Sequence, residues 1–355
     1  MLVGNKSAVS AAVWWQRGLW LSALILILAV LSLAPYFKSS TELVRMRNAL
    51  VLTNESSSDF DWTPASVPPS YLQERGPIDP FFTDVVDRLG LAALPNDWER
   101  ALAISRHLLG SSPVLLGETS RSDLRGTYRR IVTNGQGYCG DFVDVFMAIA
   151  LAAGMPVRSW AFSFDGFGGH GHVWPEIWNR ELGRWQLVGL FNNYYFFETV
   201  GVPLSAMEFR RAMLSNSKQL KLAPLYPGAR VGWEIEEKAW DYYRRGLPEW
   251  YMGWGNNVFT YDRALLVRSF VGVSRSLEQL GGIVQGVFPR VHLMANEANR
   301  GKVDALWRLR MHLFIVAWVG SLAALAALFC LVVWLRARRR QQFVLSNLSV
   351  GNDVI

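Results

Sequence analysis

Two long apolar runs stand near the two ends of the chain. Residues 18–37 (GLWLSALILILAVLSLAPYF) and residues 313–335 (LFIVAWVGSLAALAALFCLVVWL) contain no charged side chain over 20 and 23 positions. A membrane-spanning helix needs about 18 or more consecutive apolar residues, and a buried core helix usually keeps some polar face. Both runs are therefore predicted to be transmembrane helices.

The charges that flank these runs indicate an orientation. The stretch RARRR at residues 336–340 follows the second run directly, and clustered arginines favour the cytoplasmic side. We expect a two-pass membrane protein with cytoplasmic tails at 1–17 and 336–355 and an extracytoplasmic main domain. The first run is longer than the roughly 7–15 apolar residues of a signal peptide, so it is predicted to be an uncleaved anchor.

The net charge of +7 is partly explained by these flanks. A basic surface next to a membrane accounts for it, so the membrane is the expected partner and nucleic acid is not.

The segment between the two apolar runs begins as a predicted linker over residues 38–77. Its centre, NESSSDFDWTPASVPPSY, is rich in Ser, Asp and Pro and is typical of an extended connection. Helical spacing starts at NDWERALAISRHLL, where Asn96 or Asp97 is the expected N-cap.

Three short segments rich in β-forming residues follow a helix that Gly154 and Pro156 should end. They are VRSWAFSF, HVWPEIWN and RWQLVGLF. A helical part followed by several strands predicts an α+β domain over 78–200. A mixed extension of the same extracytoplasmic domain is expected over 201–312.

The cysteine at position 139 is the first candidate for chemistry. The chain has two cysteines, and Cys330 lies inside the second apolar run, so a disulfide between them is not expected. Residues 142–153 are apolar on nearly all sides, which predicts a buried helix with Cys139 at its amino terminus. The helix terminus should lower the pKa of the thiol, although free cysteines are more often buried and structural than catalytic.

A histidine thirty-three residues later favours a catalytic cysteine over a structural one. His172 opens a predicted strand in GGHGHVWPEIW, and Trp174 alternates with it. A cysteine at a helix start and a histidine on a following strand suit a thiol–imidazole pair. Zinc binding by Cys139, His170 and His172 is disfavoured because the ligand spacing of zinc sites is missing.

The order GYCGDFVDVFMAIALAAGMPVRSW, GHVWPEIW and GRWQLV resembles the transglutaminase-like superfamily of papain-fold cysteine enzymes, here as a membrane-anchored bacterial-type member. The resemblance implies a papain-like helix-plus-sheet core between the two transmembrane helices. It also implies that Cys139 is the nucleophile and His172 the general base.

The third catalytic member departs from the family pattern. The family places an Asp four residues after the Trp of the next strand, and counting four from Trp185 reaches Gly189. Asn192 or Asn193 is the candidate substitute, if the strand shifts register by about three residues. The substrate and its oxyanion are expected at the Cys139 N–H and at three side chains, those of Asn134, Gln136 and Trp174.

Two functions follow from this interpretation. The first is a membrane-anchored thiol enzyme, a cysteine protease or amidase or an acyltransferase, acting on amide bonds of a cell-envelope peptide or protein through an acyl-thioester. The second is a catalytically impaired domain that binds a peptide or glycan as a scaffold in envelope or polysaccharide assembly.

The aromatic and amide-rich run GLPEWYMGWGNNVFTYD suits sugar rings or peptide stems, and suits equally a core edge or a membrane-interface belt. Neither a cofactor nor a metal is expected.

Overall fold

The computed structural model describes residues 3–53, 60–110, 122–229 and 231–352, with side chains between 13 and 339. The chain divides into two compact units. One is Leu43–Leu306, and the other combines Met1–Glu42 with Trp307–Ile355.

The terminal unit consists mainly of the long helix α1 (Val3–Leu31) and most of the last helix, α12 (Arg300–Asn352). Both contain a stretch long and apolar enough to cross a membrane, within Val13–Leu31 and within Glu297–Arg339. Only 6% and 11% of these stretches is buried, unlike a core helix of a soluble protein. The structure thus has two candidate membrane-spanning helices.

The first predicted span, 18–37, does not form one continuous helix. α1 ends at Leu31, and a separate 3-10 helix, Ala34–Phe37, begins with Pro35 in its first turn. Proline lacks an N–H group and cannot continue a preceding α-helix. Between α1 and α12, Gly18 permits close packing, since a Cβ there would lie 2.9 Å from the sulfur of Cys330.

The central unit, residues 43–306, mixes helices with an antiparallel sheet. Its helices are α2 (Ser40–Leu50, which begins just before it), α3 (Pro80–Arg88), α4 (Asp97–Gly110), α5 (Leu124–Asn134), α6 (Cys139–Ala152), α7 (Ala206–Leu214), α8 (Glu236–Gly246), α9 (Val258–Arg263), α10 (Leu265–Phe270) and α11 (Arg275–Val284). Its strands are β1 (Val157–Ser163), β2 (Gly171–Asn179), β3 (Arg184–Leu187), β4 (Tyr194–Phe197), β5 (Lys221–Pro224), β6 (Trp250–Trp254) and β7 (Arg290–Leu293).

Five strands form one sheet in the order β3-β2-β1-β6-β7, and β4 pairs with β5. β6 and β7 come from the predicted extension 201–312, yet β6 pairs directly with β1. The extension therefore completes the sheet that carries His172. The mixed helix and sheet composition agrees with the α+β prediction.

α6 is the central helix of one half of the core. Phe142, Val145 and Ile149 have no exposed surface, and the sheet contributes Val157 and Ile177 to the same cluster. The prediction of a buried helix is confirmed. The predicted cap of α4 is confirmed too, since the Asn96 side chain accepts the Glu99 N–H at 2.9 Å.

The other half of the core is aromatic and covers the opposite sheet face. Neighbouring residues of a strand point to opposite faces, so Trp160 and Trp174 face away from α6 and pack in this second cluster. Phe60, Trp62 and Tyr71 pack there as well, each at most 5% exposed.

The expectation of an extended linker over 38–77 therefore fails for its described part. That part contains α2 and three buried aromatic rings. The free energy gained by burying large aromatic side chains exceeds the cost of ordering the Ser- and Pro-rich backbone. Residues 54–59 of the predicted linker lie outside the described residues.

One buried ion pair lies inside the aromatic half. Arg158 Nε donates to Glu176 Oε2 at 2.6 Å, and both side chains are at most 1% exposed. The guanidinium also lies over the rings of Trp62 and Trp185, with its Cζ 4.7 and 4.0 Å from their centroids.

Candidate active site

Cys139 is the first residue of α6. Gly135 ends α5 in the left-handed conformation at φ +65°, which turns the chain towards the new helix. The Asp141 carboxylate accepts the Tyr138 N–H at 2.9 Å and caps α6 from within its first turn. The thiol thus lies at a fixed helix start, and Cys139 retains partial exposure.

The strand that carries His172 passes next to this thiol. The N–H of Val173, the residue after His172, donates to the Cys139 sulfur, as does the N–H of Gly140. Tyr242 on α8 borders both groups: its ring centroid is 5.9 Å from that of His172, and it interacts electrostatically with Cys139. The structure therefore brings the strand of His172 against the amino terminus of α6, where Cys139 lies.

Asn192 is the amide that faces the imidazole. Its Nδ2 lies 3.4 Å from His172 Nε2 and 3.1 Å from the Tyr243 hydroxyl. Asn193 points elsewhere, since its Nδ2 donates to the Tyr226 carbonyl at 2.9 Å. Of the two candidate substitutes, the structure thus places Asn192 against His172.

Gly189 occupies the position at which the family pattern has a carboxylate. A Cβ at this position would lie 2.5 Å from the Tyr194 carbonyl oxygen, which accepts the Gly189 N–H at 2.9 Å. An Asp side chain therefore does not fit here without movement of the backbone. The residue behind His172 is instead Asn192, three positions after Gly189 in the following loop. This is the shift in register that the amino-acid sequence required.

Asn192 can hold the imidazole in either neutral tautomer. With Nδ2 towards the ring, the amide donates to Nε2 and the ring proton lies on Nδ1; with the amide turned, Oδ1 accepts an Nε2–H. The Tyr243 hydroxyl both donates and accepts, so it can pair with either orientation of the amide. The ring stays oriented while its proton moves.

Burial sets the protonation states of the pair. It lowers the pKa of His172 to about 3. It also raises the pKa of Cys139, and the N–H groups of Val173 and Gly140 offset this effect only in part. The expected lowering of the thiol pKa by the helix terminus is wrong for this structure, because loss of solvation outweighs it. A neutral thiol and a neutral imidazole form the resting pair.

The lowered His172 pKa predicts a pH-dependent stability. In the unfolded chain an imidazole takes up its proton near pH 6.5, whereas the folded protein does so only near pH 3. Between these two pH values the unfolded state binds one more proton than the folded state. The free energy of unfolding therefore falls as the pH falls through this window. Between pH 7 and pH 5 the loss from His172 is about 2 kcal/mol.

Denaturant unfolding of the full chain in detergent micelles at the two pH values measures this loss. His172→Asn, which cannot titrate, is expected to lose that part of the pH dependence. Identical pH dependence in both proteins would contradict a neutral buried imidazole.

Residues 88–189 match the model of the transglutaminase-like superfamily. This segment is a transglutaminase-like domain. It contains Cys139 and His172 and ends at Gly189, three residues before Asn192. No curated protein and no solved structure matches the chain.

Two of the residues predicted to bind the substrate of the transglutaminase-like domain pair with each other. Asn134 is exposed at the end of α5, and its Nδ2 donates to Gln136 Oε1 at 3.2 Å. Their role at the oxyanion stays a prediction.

Trp174, the third of these residues, is fully buried beside His172, with the two ring centroids 5.1 Å apart. It supports the imidazole from within the aromatic core. Its Nε1 has no hydrogen-bond partner among the described residues.

Side chains from distant segments form hydrogen bonds with the backbone of the loop that leads into β2. Phe167 is buried with φ +64°, a conformation that costs a non-glycine residue energy. Glu249 Oε2 accepts the N–H groups of Gly166 at 2.7 Å and Phe167 at 3.2 Å, and Asn48 Nδ2 donates to the Phe167 carbonyl at 2.7 Å. These bonds fix the approach to His172.

Several of these supporting residues carry no signal in the amino-acid sequence. Tyr242 and Tyr243 lie on α8, in the predicted mixed extension 201–312, and no local pattern indicates that this helix packs against His172. Glu249 and Asn48 act through backbone groups of a distant loop, for which no local pattern exists. Within the described residues, no group of three His, Cys, Asp or Glu side chains is placed to hold a metal ion.

Proposed function

We propose that the transglutaminase-like domain acts as a thiol enzyme on amide bonds of a cell-envelope peptide or protein. The observation that carries the proposal is the constellation at the start of α6. The Cys139 sulfur accepts the Val173 N–H beside His172, and Asn192 lies behind the imidazole. Nucleophile, base and orienting group are the parts that acyl transfer by a thiol requires.

The reaction starts from the neutral pair. As the Cys139 sulfur attacks the amide carbonyl, a C–S bond forms and the thiol proton passes to His172. The oxyanion of the tetrahedral intermediate is held by backbone N–H groups at the start of α6. The C–N bond then breaks, His172 returns the proton to the leaving amine, and an acyl-thioester remains. Water or a second amine, deprotonated by His172, attacks the thioester and restores the thiol.

A catalytically impaired binding module is the second candidate. The observation in its favour is electrostatic: no carboxylate among the described residues stands behind His172, and burial disfavours both the thiolate and the imidazolium. In this case the domain serves as a scaffold that binds a peptide or glycan in envelope or polysaccharide assembly.

Acetylation by 4-nitrophenyl acetate distinguishes the two candidates without knowledge of the substrate. The enzyme is expected to release one equivalent of nitrophenolate rapidly and to gain the mass of one acetyl group, removable by hydroxylamine as a thioester is. If the folded protein is acetylated on Cys139 no faster than a free thiol is, the result would favour the scaffold.

We place the transglutaminase-like domain outside the cytoplasm and both tails inside, because four arginines at 336–340 follow the second candidate span. In a chain without its two native cysteines, Val200→Cys is expected to react with a membrane-impermeant maleimide in intact spheroplasts, since residue 200 is 82% exposed. Gln341→Cys is expected to react only after permeabilisation. The reverse pattern would place the domain in the cytoplasm.

A further inference from the structure

A cavity of about 230 Å³ lies beside the first turn of α6, on the α6 side of the sheet. Gly140 and Val173 line it, and these are the two residues whose N–H groups reach the Cys139 sulfur. Tyr251 also lines it and interacts electrostatically with Cys139. This cavity, called here the Glu278 cavity, therefore borders the two residues whose N–H groups hold the reacting sulfur.

Two buried acceptor atoms of the Glu278 cavity have no hydrogen-bond partner among the described residues. They are Glu278 Oε2 and Asn257 Oδ1, and both residues are 4% exposed. The other polar atoms of these side chains are paired: Tyr261 donates to Glu278 Oε1 at 3.0 Å, and Asn257 Nδ2 donates to the Val287 carbonyl at 2.8 Å. A buried polar atom without a partner lowers the stability of the fold, and two acceptors call for a ligand that donates hydrogen bonds.

The acidic groups that line the cavity outnumber its arginines by four to three, which slightly favours a positive ligand. Four carboxylates line it, those of Asp141, Asp144, Asp262 and Glu278. Arg275 faces Asp141 at 3.3 Å and Asp144 at 3.8 Å. Glu278 and Asp262 have no arginine partner at ion-pair distance among the described residues.

Two further arginines line the cavity. Arg47 donates to the neutral side chains of Asn48 and Gln279 and lies over the Phe288 ring, and Arg290 is exposed. Burial and the neighbouring carboxylates raise the pKa of Glu278, although Arg275 opposes this, so an added cation would relieve the carboxylate.

We infer that the Glu278 cavity binds a cationic amine of the substrate, next to the amide that Cys139 attacks. Its volume accommodates an ammonium group on an alkyl chain of about four carbons, because one water molecule takes up about 30 Å³ of liquid. The ammonium donates to Glu278 Oε2 and Asn257 Oδ1, which gives both acceptors a partner. The assignment to a substrate rests on the proposed function, and it specifies the substrate as a peptide or protein with a basic side chain beside the reacting amide.

The test uses the full chain in detergent micelles with Cys139→Ala, which removes the reaction but leaves the cavity. Calorimetric titration compares butan-1-amine, butan-1-ol and butanoate, which share their length and differ in charge. The amine is expected to bind at least about tenfold more tightly than the alcohol, and butanoate least. Failure of the amine to bind, or equal binding of the alcohol, would overturn the inference.

Variants locate the binding. Glu278→Gln is expected to weaken amine binding about tenfold, and Asp144→Asn severalfold, whereas Glu237→Gln on the exposed side of α8 leaves it unchanged. Asp144 is half exposed, so its replacement tests the site even where Glu278→Gln does not fold. Unchanged affinity in every folded cavity variant would contradict the inference.

Binding and reaction fail separately in these experiments. If the protein binds the amine but is not acetylated by the ester, the inference about the cavity holds and the proposal of a thiol enzyme fails. Acetylation without amine binding would do the reverse.

Discussion

Replacement of Cys139 by alanine is expected to abolish the rapid acetylation by 4-nitrophenyl acetate. The rate at this position falls by at least about 10³-fold, since the variant lacks the sulfur on which the acyl-thioester forms. Release of nitrophenolate and the mass of the intact protein measure it together. The helix and the sheet remain in place, because Cys139 is only partly buried and alanine suits the first turn of a helix.

Cys330→Ala is the matched control for this variant. Cys330 is the other cysteine of the chain and is buried in the candidate span of α12. Its replacement is expected to leave the rapid acetylation unchanged. A Cys139→Ala protein that is still acetylated at the rate of the unmodified chain would remove Cys139 from the chemistry.

Glu176→Ala is expected to lower the free energy of unfolding by about 3–5 kcal/mol, because it leaves the charge of Arg158 buried without its partner. Three donors lose their acceptor at once: Arg158 Nε at 2.6 Å, Trp160 Nε1 at 2.7 Å and the Ala206 N–H at 2.7 Å. The aromatic half of the core is organised around these bonds. Denaturant unfolding of the full chain in micelles measures the loss.

Two variants separate the origins of this effect. Glu176→Gln removes the charge but keeps an acceptor oxygen, so a smaller loss than for alanine is expected. Asp241→Ala breaks an exposed pair with Arg244 and is expected to change stability by less than about 1 kcal/mol. If Glu176→Ala is no more harmful than Asp241→Ala, the ion pair does not organise the core.

The parts that the sequence predicted are those with local patterns. The apolar residues of α6 fixed its burial, and the Asn96 cap marked the start of α4. His172 and Trp174 alternate along one strand, which placed both on one face of the sheet. The transglutaminase-like match over 88–189 rests on these same local segments.

The parts that could not be predicted depend on contacts between distant segments. Asn192 reaches His172 because the bridge between Gly189 and Tyr194 turns the chain, and Tyr243 meets it from a helix fifty residues later. The Ser- and Pro-rich segment gave no sign that Trp62 enters the core. The direction of the pKa shift of Cys139 was predicted wrongly, because the sequence shows that the thiol lies at a helix terminus but not how far the protein buries it.

The pH dependence of acetylation, compared between the unmodified chain and His172→Ala, tests the central claim most directly. The claim is that His172 takes the proton of a neutral Cys139 thiol. At pH 7 the variant is expected to react about 100-fold more slowly, since a general base contributes roughly 10²–10⁴-fold. The two rates should converge at alkaline pH, above the raised pKa of the thiol, where the thiolate forms without a base. Equal rates at pH 7 would contradict the account.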